Sequence, residues 1–400
     1  MSDTPIINSV GINGGINIFN KEYIPSNKPN YNLTYKTFFT LPYKIDSMDT
    51  MDDIIVIGVS EIQSVYVYKI IDTAVNIIKI ITPQNSNVLG TVKFGSCVKI
   101  TQMGIFISDP YYNTYGQVFL YYSKNINSQD WNANPVSIKP FDYKSINYNS
   151  MFGTKIDVKD TTLYISSPGY KDSDNIVCKC YYYSIDYNTK YISNIMISSN
   201  PDIVSEYATN ILLSTPTISL VSSINANVTN EITYNSAGVV YIYDTTKQQP
   251  ISYIYSPNPI EKSNFGYSMS INGSYLLISE PNAKEGNIIL YKGGSSNWNY
   301  ITSFNIESLS MGVYDKQFKE GQNVFCINSL FLWTYNNVVY VSEITEEGNV
   351  VPSSTNKLKN TDYSDYGNFI SNIENNQIII TGYDITNNKT IFDIYSINYV

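Results

Sequence analysis

Phe265-Gly266-Tyr267-Ser268-Met269-Ser270-Ile271-Asn272-Gly273-Ser274-Tyr275-Leu276-Leu277-Ile278-Ser279-Glu280-Pro281 reads as two strands joined by a tight turn. Apolar and polar residues alternate from Tyr267 to Ile271, the period of a strand with one covered face. Asn272-Gly273 offers two residues that tolerate positive φ, which is the chemistry of a short hairpin. Tyr275 to Ile278 is a continuous apolar run, as expected of a strand covered on both faces, and Ser279-Glu280-Pro281 ends it. A third strand, Gly286-Asn287-Ile288-Ile289-Leu290-Tyr291, opens on a small residue.

The same grammar recurs along the chain. The aromatic-Gly pair returns as Phe94-Gly95, Phe152-Gly153 and Tyr366-Gly367, with weaker matches at Tyr207-Ala208, between Tyr314 and Phe318, and near Tyr43. The repeat length, roughly 50–58 residues, is the range of propeller blades and not of helical solenoids. Second strands follow at Ile105–Pro110 and Leu163–Pro168, and third strands at Ser64–Ile70, Gly116–Tyr122, Ala237–Tyr243 and Asn337–Ser342. More polar fourth strands close the units, as in Val75–Pro83 and Ile251–Pro257. Seven units result, near 43–83, 94–140, 152–201, 207–257, 265–309, 314–352 and 366–400. The expected fold is therefore all-β, a seven-bladed β-propeller of four-stranded antiparallel blades.

The last unit runs out of chain after its third strand, Thr390–Ile397. Asn32–Pro42 has the character of the missing fourth strand, and supplying it would close the ring and remove the exposed sheet edges. Residues 1–42 are thus an N-terminal arm and ring-closing strand, and 43–400 the propeller. Gly15-Ile16-Asn17-Ile18-Phe19 competes for the third-strand slot. The C-terminal segment is expected to win, leaving residues 1–30 as an arm.

The pattern resembles the FG-GAP repeat, the blade of the integrin-α-type seven-bladed propeller. The residues that carry the likeness are Phe94-Gly95 with Ile107-Ser108-Asp109-Pro110, Phe152-Gly153 with Ile165-Ser166-Ser167-Pro168, and Phe265-Gly266 with Ile278-Ser279-Glu280-Pro281. The family's Gly-Ala-Pro is replaced by Ser-x-Pro, so the match is degenerate. The resemblance also implies a calcium loop of DxDxDG type between the first two strands. The corresponding turns here, Thr101–Gly104, Asp157–Asp160, Asn272-Gly273 and Glu374–Gln377, supply at most two carboxylates, too few for a cation that takes six to eight oxygens. Asp157 with Asp160 and Asp172 with Asp174 are close acidic pairs in the blades, and no metal is expected at either.

Composition removes much chemistry. Of 400 residues 15% are charged, there is no histidine, and all 25 basic residues are lysines, so the chain lacks arginine. His-based triads, His metal ligands, arginine clusters for carboxylate substrates and bidentate Arg–guanine readout are excluded. The net charge of −9 repels phosphate backbones, so no nucleic acid is expected. No apolar run approaches the roughly 18 residues of a membrane span, and the start has no secretory character, so a cytoplasmic origin without membrane insertion is expected. Cys97, Cys178, Cys180 and Cys326 read as reduced, mostly buried thiols, with Cys178 and Cys180 on one face of a strand. The 48 asparagines, with abundant Ile, Lys and Tyr, suit strands and turns and suggest an AT-rich genome.

No catalytic, cofactor-binding or metal residue is assigned. Gly11–Gly15 lacks the following Lys-Ser/Thr and helix of a phosphate loop. The Asn-x-Ser/Thr sequons at Asn32, Asn227, Asn272 and Asn388 are within chance for this composition. Tyr111-Tyr112, Tyr121-Tyr122 and Tyr181–Tyr183 could stack on sugars but read mainly as packing residues, and the longest insertion, Thr217–Ser236, could be an interaction loop. The expected function is non-enzymatic: a structural or attachment protein of a particle, a virion of a large AT-rich virus, contacting other structural proteins or surface glycans through the propeller faces. The alternatives are a cellular scaffold or carbohydrate-binding propeller, or a glycoside hydrolase using carboxylates.

Overall fold

In this computed structural model the described residues are 31–399, except 84–91, 124, 127–130, 132–133, 147, 173–174, 202–206, 284–285, 306–322, 336, 345–355, 360–362 and 375. Seven four-stranded antiparallel sheets form a ring. From the innermost strand outward, blade 1 is Ser47–Met51, Ile54–Val59, Ser64–Ile71 and Ala74–Ile81. Blade 2 is Val98–Thr101, Gly104–Asp109, Gln117–Tyr122 and Val136–Ile138. Blade 3 is Ile156–Lys159, Thr162–Ser167, Lys179–Asp186 and Tyr191–Ser199. Blade 4 is Tyr207–Thr215, Ile218–Ser223, Val239–Asp244 and Ser252–Tyr255. Blade 5 is Met269–Asn272, Tyr275–Glu280, Asn287–Gly294 and Asn297–Asn305. Blade 6 is Val324–Ile327, Leu330–Tyr335, Val338–Glu343 and Asn356–Lys359. Its fourth strand lies past residue 352, where the sequence pattern ended that unit.

Blade 7 combines Ile370–Ile373, Gln377–Asp384 and Lys389–Tyr399 with Tyr31–Leu41 from the other end of the chain. The closing strand pairs antiparallel with the last one from Tyr31↔Tyr399 to Leu41↔Thr390. The C-terminal segment thus holds the third-strand slot. Gly15–Phe19 lies outside the described residues, as do Tyr314 to Phe318.

Burial explains the grading of the strands. The second strand of each blade from 1 to 4 and of blade 6 is buried along its whole length, because neighbouring blades cover both its faces. Outer strands are largely open to solvent, as in Ala74–Ile81, where only Ile81 is buried. Among the described residues the buried apolar side chains fall into seven clusters, and each joins two successive blades. The core is therefore a set of seams. Phe94, Phe152, Tyr207, Phe265 and Tyr366, the aromatics of the repeat, are all buried, each in the seam with the preceding blade.

The glycine after the aromatic has a local reason. Gly266 has φ +92° and donates its N–H to the Ser279 carbonyl at 3.1 Å. In blade 4 the same place is taken by Ala208 at φ +61°, a left-handed alanine that only the surrounding packing sustains. Gly238, which opens the third strand of blade 4, would push a Cβ to 2.2 Å from the Phe265 carbonyl oxygen of blade 5, so the seam excludes any side chain there. Asn and Asp serve the hairpins: Asp52, Asp160, Asn328 and Asn376 take positive φ between first and second strands.

The Ser of each Ser-x-Pro is structural. Ser108, Ser166 and Ser279 accept the backbone N–H of Cys97, Lys155 and Ser268 at 2.9 Å, and Ser222, Thr334 and Thr381 do the same for Asn210, Asn323 and Phe369. One hydroxyl per blade, blade 1 excepted, thus locks the entry of the inner strand to the second strand. Blade 1 has Gly58 at this register, opposite Ser47.

Candidate functional site

The inner strands touch in cyclic order, blade 1 to blade 7 and back to blade 1, and surround a central channel. Its cavity, about 560 Å³, is lined by Asn210, Ser268, Asn323 and Asn368 near the strand entries and by Asp157, Leu212, Ser270 and Phe325 further along. A volume of this size suits a small ligand. What its walls can do depends on how far their polar groups are already engaged.

They are heavily engaged. The fourth residue after the aromatic-Gly pair reaches across to the next blade. Asp157 Oδ2 accepts the Leu213 N–H at 2.6 Å, and Ser270 Oγ accepts the Cys326 N–H at 3.0 Å. The Ser371 hydroxyl meets that of Thr50 at 2.7 Å, which carries the pattern from blade 7 to blade 1. In blade 1, Asp49 at the same register accepts the Ile100 N–H at 2.9 Å. Blade 2 has Lys99 there, and its ammonium sits 3.5 Å from Asp49 and 3.4 Å from Asp157. Three blades are joined by this one charge cluster. The Asp49 carboxylate, and after it Asp157, hold Lys99 well above the ordinary lysine range, so it stays charged. Burial pushes the Asp49 carboxyl up, against the pull of Lys99 and the Ile100 amide.

Other buried acids are engaged in the same way. Asp109 accepts the Lys93 and Tyr111 N–H groups. Glu280 accepts Ser256 Oγ at 3.1 Å and Asn287 Nδ2 at 3.2 Å, and burial raises its pKa. Asp393 accepts the buried Tyr366 hydroxyl at 3.0 Å, and the half-buried Asp142 receives Tyr181 and Lys179. No group of three or more potential metal ligands occurs among the described residues. Asp157 of the first acidic pair points to Lys99 and blade 4, while Asp160 occupies the left-handed turn position. Asp174 of the second pair lies outside the described residues.

The thiols are free, as expected, but Cys178 is not on the strand. It precedes Lys179–Asp186 at φ +50° and donates to the Pro168 carbonyl, while Cys180 lies within the strand. Burial pushes Cys326 up to about 12 and Cys180 higher still, so neither is a nucleophile near neutral pH.

Two further expectations change. Ile218–Ser223, counted in the insertion of blade 4, is the buried second strand itself. The insertion proper follows it and carries a small hairpin, Val228–Thr229 with Thr233–Tyr234. Of the tyrosine clusters, Tyr121, Tyr122 and Tyr181–Tyr183 are buried in seams, Tyr112 is half-buried against Phe119, and Tyr111 is at the surface. Tyr253 and Tyr255, on the outer strand of blade 4, form an exposed pair that no sequence pattern singles out.

Neither a protein-family model nor a curated protein matches this chain in sequence. Its architecture rests on the geometry alone: this is a seven-bladed β-propeller. Among the described residues no helix is long and apolar enough to cross a membrane.

Proposed function

We propose that this propeller is a non-enzymatic structural or attachment protein of a particle, of degenerate FG-GAP type, which acts through protein or glycan contacts. One observation carries the non-enzymatic half of the reading: the charged groups at the channel are spent on the ring. Asp49 and Asp157 flank Lys99 and accept the Ile100 and Leu213 amides, and the Lys159 ammonium donates to the Ser214 carbonyl at 2.6 Å. A general acid and base need carboxyls free to exchange protons with a substrate. This reading disfavours a carboxylate-dependent hydrolase working in the channel.

The outer strands present several tyrosines to solvent. Tyr35, Tyr191, Tyr253 and Tyr300 are exposed on outer strands, a composition suited to recognition. The assignment to a particle, and specifically a virion, rests on free cysteines, an Asn/Ile/Lys/Tyr-rich composition of the kind an AT-rich genome encodes, and an adhesion-type fold. The test is location. Quantitative mass spectrometry of purified extracellular particles and of soluble cytosol from the source should find the protein enriched in particles at stoichiometry comparable to known structural components. A signal confined to the cytosol overturns the particle reading.

A further inference from the structure

We propose that a cleft on the outer rim of blade 4 binds a neutral saccharide, a deepening that rests on the attachment reading above. The cleft, about 450 Å³, lies between the fourth strand Ser252–Tyr255 and the hairpin of the blade 4 insertion, with Pro201 from the end of blade 3 at its edge. Its volume falls within the range of small-ligand sites. In the sheet Tyr241 pairs with Tyr253 and Val239 with Tyr255, so three tyrosines share one face. Tyr241 is buried, whereas Tyr253 is 61% and Tyr255 36% exposed. The two exposed rings stand 6.0 Å apart at 25° and form a continuous aromatic surface.

The polar groups around these rings are neutral. Asn227, Thr229 and Ser252 line the cleft together with the tyrosines, and no Asp, Glu or Lys does so among the described residues. Asn227 Oδ1 accepts the Ser236 N–H at 2.9 Å, which fixes the amide and leaves Nδ2 as the donor for a ligand. A charged ligand would find no counter-ion here. A pyranose has an apolar C–H face and a rim of hydroxyls. It would stack on Tyr253 and Tyr255 while its hydroxyls meet Asn227 Nδ2, Ser252 and the phenols. Pro201 and Pro250 fix φ at two points of the wall, which lowers the ordering cost of binding. An extended proline-rich peptide also favours aromatic grooves. It has fewer hydroxyls to satisfy the neutral donors, so the saccharide fits the lining better.

The full-length protein and its Tyr253→Ala, Tyr255→Ala and Tyr253→Trp variants should be measured against immobilised neutral oligosaccharides, sialylated oligosaccharides and a proline-rich peptide. Melting curves would check that each variant is folded, which these exposed positions permit. The expected result is binding of a neutral oligosaccharide, weakened about tenfold by each alanine and retained by tryptophan. Four results overturn the proposal: no saccharide bound, sialylated ligands alone bound, peptide bound in preference, or saccharide binding unaffected by the alanines. Particle enrichment of the same variants separates the two readings. Enriched protein that binds no sugar sinks the cleft alone, and sugar binding by a protein absent from particles sinks the attachment role alone.

Discussion

Glu280 shows how a repeat residue is chosen by what it must hold. It stands in the middle of Ser279-Glu280-Pro281, is buried, and accepts hydrogen bonds on Oε2 from Ser256 and Asn287, while Oε1 has no partner among the described residues. Asp109 in the same slot of blade 2 binds the Lys93 and Tyr111 amides, and Ser167 in blade 3 donates to the Ser150 carbonyl. The slot demands a polar group that ties the loop around it, and a carboxylate meets that demand at the cost of a buried charge. Burial raises the folded pKa of Glu280 above its unfolded value. The folded state therefore binds the proton more tightly, and stability is full below the unfolded carboxylate range and falls as pH rises through the folded pKa. Glu280→Gln keeps an acceptor for Ser256 and Asn287 without the charge. Its denaturation midpoint should exceed wild type at pH 7, by a margin on the order of 1 kcal/mol, and converge with it at pH 4. An equal difference at both pH values would show that charge burial is not the cause.

Inner strands are the elements in which sequence and ring geometry meet. Alternation along Val98–Thr101 and Ile156–Lys159 is plain in the sequence, and it places Lys99 and Asp157 at one register of successive blades. That Lys99 lies between Asp49 and Asp157 follows only from the packing of successive blades, since the residues come from three separate units. Lys99→Met should destabilise the protein by about 2 kcal/mol. This is less than the 3–5 kcal/mol typical of breaking a fully buried pair, because the Lys99 side chain is 32% exposed. Combining it with Asp49→Asn and Asp157→Asn should recover most of the loss, as read from urea midpoints. If the triple variant is no better than Lys99→Met, the cluster is not acting as a charge balance.

At the scale of the whole molecule, stability depends on one sheet made from both ends of the chain. Tyr31 is buried between blades 6 and 7, and its hydroxyl donates to the Val341 carbonyl at 2.8 Å. Leu41 is buried in the seam between blades 7 and 1, and the Thr390 hydroxyl donates to the Tyr43 carbonyl at 2.7 Å. Deleting residues 1–42 removes the fourth strand of blade 7 and exposes two seams together with an unpaired edge. The truncated chain should lose cooperative thermal unfolding, and a peptide spanning residues 31–41 added in excess should restore part of it. An unchanged melting curve for the truncated protein would refute the closure as a stabilising device.

Local chemistry wrote the blade into the sequence. Alternation, the apolar second strand, Asn-Gly turns and the aromatic-Gly pair each depend on neighbours a few residues away, so the strand order within a blade, the seven-fold repeat and the N-terminal closing strand were all legible. Blade 6 was legible only in part, because the distance to its fourth strand depends on a long connection and not on pattern. The sites were harder to read, because each is assembled from separate units. The sequence cannot distinguish tyrosines buried in a seam, such as Tyr181 and Tyr183, from the exposed pair Tyr253 and Tyr255, since alternation on a strand is the same for both. Which face meets a neighbouring blade and which meets a cleft is settled by how the blades pack. Charge pairing at Lys99, the walls of the channel and the rim cleft of blade 4 are products of tertiary packing, because only the stacking of blades and the folding back of the blade 4 insertion bring residues distant in sequence within bonding distance.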